Sequence, residues 1–193
     1  MTSVLALAML ALPTAALAAK TSFDCTKATA KVEVLVCRDE ALAKLDLRTA
    51  DLYRKAEDNA GGERARIALR EAQHAFPQKR NGCVRSADMR ACTLLAYRTR
   101  ISELQVQSGE VRPPMATLYD CGKLGTATVH FYRGTELPVA ILSFGVGNTD
   151  TAIAQAAETG SRYVGSRYVL RDEGAEALLA RKGQPDVACR RKA

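Results

Sequence analysis

The chain changes its hydrophobic period near residue 112, and this change constrains the fold more than any other feature of the sequence. Before it, apolar side chains recur every three or four residues, as in amphipathic helices. Val111-Arg112-Pro113-Pro114 interrupts that spacing and is typical of a linker. Beyond it, apolar and polar residues alternate, as in half-buried strands. The sequence therefore predicts an α+β protein with a helical domain over residues 20–108, a linker over 109–116 and a strand-rich domain over 117–193.

Three segments of the first domain carry the helical pattern. Asn59-Ala60-Gly61-Gly62 is the predicted turn between the first two helices. Pro77 is expected to end or kink the second helix, and Ser86 or Asp88 can cap the third. The predicted buried faces are Leu42, Leu45, Thr49, Leu52 and Ala56, then Ala65, Leu69, Ala72 and Phe76, and finally Leu94, Tyr97, Ile101 and Leu104.

The second domain contains short strand candidates separated by Gly-rich turns. Residues 126–132 alternate between polar and apolar side chains, and residues 137–144 form a compact apolar run. Several short strands with such turns predict a small antiparallel barrel or sandwich. The further strand candidates are Thr117–Cys121, Arg162–Tyr163, Arg167–Leu170 and Ala177–Ala180.

The first nineteen residues are uncharged and rich in Leu and Ala. Ala16-Leu17-Ala18 followed by Ala19 fits the small-residue cleavage site of a signal peptide over residues 1–19. Pro13 interrupts the apolar run, which favours a signal peptide over a membrane-spanning helix. No cysteine lies near the cut, so we expect a periplasmic or secreted protein without a lipid anchor or transmembrane segment.

The six cysteines predict disulfide bonds, because an even number in an exported protein is typical of a disulfide framework. In an antiparallel helical hairpin, Cys37 before the first long helix lies near Cys83 after the second. We therefore expect Cys37–Cys83 and Cys25–Cys92, with Cys25–Cys37 and Cys83–Cys92 as the main alternative. Cys121–Cys189 would tie the first strand of the second domain to the last.

The net charge of +7 suits acidic partners such as envelope polymers. Nucleic acid is disfavoured, because the chain is predicted to be exported and no aromatic-studded basic strand is present. We expect no metal or other cofactor, since no cysteine pair has zinc-site spacing and His74 and His130 are far apart. No nucleophile-elbow pattern is present either, so the chain is not expected to be an enzyme.

The first domain resembles the LprI-type N-terminal helical domain (DUF1311-like). The resemblance covers residues 23–104 and places all four cysteines of this domain in register. Phe76 stands where that family usually has Trp, and Pro77 follows where a helix former is usual. The resemblance implies an exported, disulfide-stapled module and, from the name of one member, lysozyme inhibition. The matching motifs are Phe23-Asp24-Cys25, Leu35-Val36-Cys37, Leu45-Asp46, Leu52-Tyr53, Glu71-Ala72-Gln73, Arg80-Asn81-Gly82-Cys83, Cys92, Tyr97-Arg98 and Arg100-Ile101.

The second domain resembles the membrane-bound inhibitors of c-type lysozyme (MliC). Tyr119-Asp120-Cys121 matches the family's opening Y-x-C, and Cys189 matches its closing cysteine. The family's S-G-x-x-Y corresponds to Thr159-Gly160-Ser161-Arg162-Tyr163, and its F-W-x-K-G to residues 170–174. The resemblance implies a small β-barrel from which the 159–174 region projects and plugs the active-site cleft of a c-type lysozyme.

One residue departs from the family's chemistry. A lysozyme cleaves its substrate with two carboxyl groups, and the family places a Lys between them, where it forms a charge-assisted hydrogen bond. Glu173 occupies that position here and would repel them, whereas Thr159 keeps a hydroxyl donor. Arg162 or Arg171 could replace the missing cation. The candidate lysozyme-binding residues are Thr159, Gly160, Ser161, Arg162, Tyr163, Arg171 and Glu173.

A second interpretation requires no inhibition. The chain would then be a non-inhibitory module of the cell envelope that binds an acidic polymer such as peptidoglycan through its basic surface. Salt separates the two hypotheses, because charge-driven polymer binding weakens steeply as ionic strength rises.

Overall fold

The computed structural model describes residues 20–145 and 147–192, and the predicted signal peptide lies outside this part of the chain. Within it, four α-helices precede eight antiparallel strands that close into a barrel, which confirms the α+β prediction and selects the barrel over the sandwich. Helices α1 to α4 span Lys31–Arg38, Glu40–Asn59, Glu63–Asn81 and Met89–Gln107. Strands β1 to β8 span Thr117–Asp120, Thr126–Tyr132, Val139–Ser143, Thr149–Gln155, Ser161–Val164, Tyr168–Asp172, Glu176–Arg181 and Asp186–Arg191.

The three predicted helices correspond to α2, α3 and α4. Their buried faces follow the predicted spacing except at Ala65 in the first turn of α3, which is exposed. Leu42, Leu52 and Ala56 of α2 are buried, as are Ile101 and Leu104 of α4. The turn at residues 60–62 separates α2 from α3 as predicted. The short helix α1 was not predicted, so the helical half has one more helix than the sequence indicated.

Two helix boundaries test the local predictions. Asp88 caps α4, because its carboxylate accepts the N–H of Ala91 at 2.8 Å. Of the two alternatives predicted for Pro77, an end of the second helix is wrong, because α3 continues to Asn81, and a kink stays a prediction. Proline removes only one intrahelical donor, and the buried side chains of Phe76 and Arg80 on either side of it hold this turn against the other helices.

The predicted disulfide pairing of the helical half is wrong, and the alternative is found. Cys25 pairs with Cys37, and Cys83 pairs with Cys92. Cys37–Cys83 and Cys25–Cys92 do not form, because α1 returns the chain to Cys25 and the short turn between α3 and α4 brings Cys92 beside Cys83. Each bond therefore staples a local turn instead of crossing the hairpin.

The barrel is an up-and-down barrel in which each strand pairs with its sequence neighbours and β1 pairs with β8. Cys121–Cys189 joins β8 to the residue after β1, as predicted. Connections alternate between the two ends of such a barrel. The connections at residues 133–138, 156–160 and 173–175 therefore share the end at which the chain enters β1, here called the entry end. The turns at 165–167 and 182–185 lie at the far end.

The helical half packs against the barrel through α4 and the 133–138 connection. Glu136 accepts from Arg98 Nε at 3.0 Å and from Arg48 Nη1 at 2.9 Å. The backbone N–H of Glu136 donates to Gln105 Oε1 at 2.6 Å, and that of Leu137 donates to Ser102 Oγ at 2.8 Å. An apolar cluster continues the contact across the outer face of the barrel. Its members are Val106, Val111, Tyr132, Leu137, Val139, Ile141 and Ile153.

Candidate functional site

The predicted site residues come together at the entry end of the barrel. Thr159 and Gly160 end the connection between β4 and β5, and Glu173 begins the turn between β6 and β7. Ser161 is the register partner of Asp172, which joins the two segments through paired strands. Residues 155–161 and 173–176 are exposed, so the helical half does not cover this surface. We call residues 158–161 and 173–174 the site loops.

Gly160 fits the two site loops together. Its backbone has φ +63°, a conformation that glycine adopts without the Cβ clash of other residues. A Cβ at this position would lie 2.6 Å from the carbonyl oxygen of Asp172. Glycine is therefore required here both for its conformation and for the close approach of the neighbouring strand.

The site is not the tip of one projecting loop. Residues 161–172 form the β5–β6 hairpin, and the tip of that hairpin, residues 165–167, lies at the far end of the barrel. The predicted binding residues instead occupy the two chain segments that flank the open side of this hairpin. Thr159 and Glu173 are adjacent because the strands pair, and not because one loop carries both.

Side chains alternate along β5 and β6, so Tyr163 lies inside the barrel whereas Arg162 and Arg171 lie outside it. Tyr163 is only 3% exposed and packs inside the barrel against Phe131, with 5.3 Å between the ring centroids. Arg162 and Arg171 are directly opposite each other on the outer face. Arg162 donates to Gln155 Oε1 at 2.6 Å, and Arg171 pairs with Asp186 at 3.2 Å. Each guanidinium therefore has one partner on the outer face, and Tyr163 supports the site from within.

The exposed side chains of the site loops include hydroxyl and carboxyl groups. Thr159 and Ser161 carry the hydroxyls, and Glu158 and Glu173 carry the carboxylates. Glu173 forms no ion pair within the described residues. The surface thus presents hydrogen-bond donors beside two negative charges.

A polar network that the sequence analysis missed closes the barrel interior beneath the site loops. Asp172 accepts from the hydroxyl of Tyr119 at 3.0 Å and from the N–H of Gly174 at 3.2 Å. Burial, and then the Asp172 carboxylate, raise the pKa of Tyr119, and burial raises the pKa of Tyr163. Both tyrosines therefore remain protonated over the physiological range. Asp172 lies two residues after the buried Leu170 and therefore on the same, inward face of β6. Hydrophobic alternation gives no signal for it, because that pattern assigns a charged residue to the solvent face.

Neither a metal centre nor a membrane span is found in the part of the chain that the structure describes. Over residues 20–145 and 147–192, no group of three or more His, Cys, Asp and Glu side chains is arranged to hold a metal ion. No helix within these ranges combines the length and apolar character needed to cross a bilayer.

The comparisons with known proteins identify relatives across both halves of the chain. No protein-family model matches the chain. The Lipoprotein LprI proteins of Mycobacterium bovis and of two Mycobacterium tuberculosis strains are each 31% identical to it over 143 residues, which is 74% of this chain and 70% of theirs. A match of that length is longer than either half, so it extends across the linker and includes both helices and strands. The chain therefore belongs to the LprI family.

Proposed function

We propose that this chain is an exported lysozyme-inhibitor-like protein whose site loops contact the active-site cleft of a c-type lysozyme. One observation carries the proposal: Thr159, Gly160 and Ser161 meet Glu173 on an exposed end of the barrel. The MliC resemblance of residues 117–190 assigns the same positions to the inhibitory contact. Membership of the LprI family supports an envelope-associated role, because its relatives are named lipoproteins.

Hydroxyl donors supply the favourable part of the contact. A lysozyme cleft presents two acidic side chains, and the hydroxyls of Thr159 and Ser161 can donate to one of them. Hydrogen bonds to a charged acceptor contribute about 1.5–3 kcal/mol each. Because Gly160 holds these residues against the β6–β7 turn, the donors are fixed before the partner arrives.

Glu173 supplies the unfavourable part. A carboxylate placed against the two acids of the cleft costs several kcal/mol through like-charge repulsion. Arg171 does not take over the cationic role, because it lies on the outer face and pairs with Asp186. The chain therefore inhibits weakly as it stands, and its contact is limited by the charge at one position.

The test is an inhibition assay in which this single charge is reversed. Glu173→Lys restores the ammonium that pairs with the cleft acids, and we expect at least a hundredfold gain in inhibition of a c-type lysozyme. Glu71→Lys makes the same change in net charge on the exposed face of α3 and is expected to have no such effect. Thr159→Ala, made in the Glu173→Lys background, should weaken inhibition about tenfold.

The proposal is wrong if Glu173→Lys inhibits no better than Glu71→Lys. The acidic-polymer hypothesis rests on the net charge of +7 and makes a different prediction. In that case the purified chain sediments with peptidoglycan, the binding disappears as salt rises, and Glu71→Lys strengthens it as much as Glu173→Lys does.

A further inference from the structure

The helical half contains a cavity that is separate from the site loops. It lies between α3, α4 and the disulfide-bonded turn that joins them, opens to solvent and has a volume of about 300 Å³. That volume is at the lower end of the range for small-molecule sites. Phe76 and Leu95 line it together with Ala72, Ala96 and the Cys83–Cys92 disulfide. Leu95 is 56% exposed, so the apolar part of the wall reaches the surface.

A buried guanidinium with an unused donor lies in this wall. Arg100 lines the cavity and is 3% exposed. Its Nε donates to Gln73 Oε1 at 3.1 Å and its Nη1 to Glu103 Oε2 at 2.9 Å. Its Nη2 has no hydrogen-bond partner among the residues that the structure describes. This buried donor without a partner costs about 1–3 kcal/mol, and it leaves the charge of the Arg100 guanidinium incompletely compensated beside the cavity.

The charge of the cavity selects an anion. Lys79 and Arg100 line it with only one carboxylate, that of Glu103, and this carboxylate is already paired with Arg100. Lys79 is exposed and forms no ion pair within residues 20–145 and 147–192. A single negative charge on the occupant would therefore balance the cavity and engage both cations.

We propose that this cavity binds a small amphiphile with an apolar body and one anionic head group, such as a medium-chain carboxylate. The apolar body packs against Phe76, Leu95 and the disulfide. The head group is attracted by the guanidinium of Arg100 and by the ammonium of Lys79. This site is independent of the site loops and of lysozyme binding, so either proposal can fail without the other.

The site is tested by fluorescence titration of the wild-type chain with 8-anilinonaphthalene-1-sulfonate, a dye with an aromatic body and one negative charge. Decanoate should displace the dye at least tenfold more effectively than 1-decanol, because only the carboxylate engages the two cations. Non-specific apolar binding would favour the alcohol instead. Equal displacement by the two competitors, or no saturable binding of the dye, would overturn the proposal.

Matched variants place the binding in this cavity. Ala96→Leu fills it and should weaken dye binding more than tenfold, whereas Ala91→Leu, on an exposed position of the same helix, should leave it within twofold. Lys79→Gln should weaken decanoate binding about threefold, and Lys123→Gln on the barrel should not. Arg100→Gln should abolish the preference for decanoate. If Arg100→Gln does not fold, the other two comparisons test the site. The site is rejected if Ala96→Leu binds the dye as well as Ala91→Leu does and Lys79→Gln binds decanoate as well as Lys123→Gln does.

Discussion

One buried carboxylate, Asp150 at the start of β4, organises the far end of the barrel. It is 4% exposed and accepts the backbone N–H groups of Ser166, Arg167 and Tyr168 at 3.2, 2.9 and 2.9 Å. The Ser166 hydroxyl donates to it at 2.6 Å. A Cβ on Gly165 would lie 2.3 Å from Asp150 Oδ2, so only glycine admits this contact. The β5–β6 turn is therefore built around Asp150, and it fixes the hairpin that leads to the site loops.

Asp150→Asn should destabilise the chain by about 2–4 kcal/mol at pH 7. Burial alone would raise the pKa of Asp150, but the hydrogen bonds from Ser166, Arg167 and Tyr168 bring it below its ordinary value. Because the folded pKa is lower than the unfolded one, the stabilisation is present above the unfolded pKa and is lost as pH falls through the folded pKa. Urea unfolding at pH 7 and at about pH 3 should show the difference between wild type and variant narrowing in acid.

Asp58→Asn serves as the control for Asp150→Asn. Because Asp58 is exposed, this substitution should leave the free energy of unfolding unchanged. If Asp150→Asn lowers the free energy of unfolding by the same amount at both pH values, the charge of the carboxylate is not what stabilises the turn.

The inward carboxylates mark the limit of sequence-based prediction at the residue scale. Asp150 and Asp172 both occupy strand positions whose neighbours two residues away are buried. Hydrophobic alternation assigns a charged residue to the solvent face. Their inward placement depends on donors from other strands, which the pattern of one strand does not reveal.

At the scale of elements, β4, β8 and α1 were not predicted from the sequence, because the order of apolar and polar residues in each does not match the structure that it forms. In β4 the inward positions carry Asp150, Ala152 and Ala154, so no large apolar residue marks the alternation. In β8 only Cys189 is fully buried, and Arg190 and Arg191 follow it. Helix α1 carries Val32, Val34 and Val36 at every second position, and β-branched residues at that spacing are typical of a strand.

The three disulfides should differ in their contribution to stability. Cys121–Cys189 closes a segment of 68 residues, and Cys83–Cys92 closes one of 9. Loop-closure entropy predicts a loss of about 4 kcal/mol when the first pair is replaced and about 3 kcal/mol for the second. We expect Cys121→Ala/Cys189→Ala to lower the free energy of unfolding more than Cys83→Ala/Cys92→Ala does, as measured by urea denaturation. The reverse order would mean that the local staple constrains the unfolded chain more than the barrel closure.

At the scale of the whole molecule, the two halves are joined by hydrogen bonds between residues that the sequence marks as surface residues. Ser102 and Gln105 are polar positions on α4, yet both are buried because they accept from the 133–138 connection. Glu136 lies in a loop and accepts from two arginines. The period of the sequence predicts that one half is helical and the other strand-rich, but it carries no information about how they dock, since docking depends on polar groups from distant segments.

Gln105→Leu should weaken this junction. It leaves the half-buried N–H of Glu136 without its acceptor, and we expect this to cost about 1 kcal/mol, the lower end of the range for a buried donor. We expect a matching loss in the free energy of unfolding and faster proteolysis within residues 109–116. The control is Gln107→Leu, two residues further along α4 at an exposed position. Equal losses of stability in the two variants would show that the junction does not depend on Gln105.

The central claim is that the site loops enter the lysozyme cleft, and competition for that cleft tests it most directly. Binding of the Glu173→Lys variant to a c-type lysozyme is measured by calorimetry, with the cleft empty and with it filled by a chitin oligosaccharide. The account predicts that binding is lost when the sugar occupies the cleft and returns when the sugar is removed. Binding of unchanged strength to the sugar-filled enzyme would contradict it.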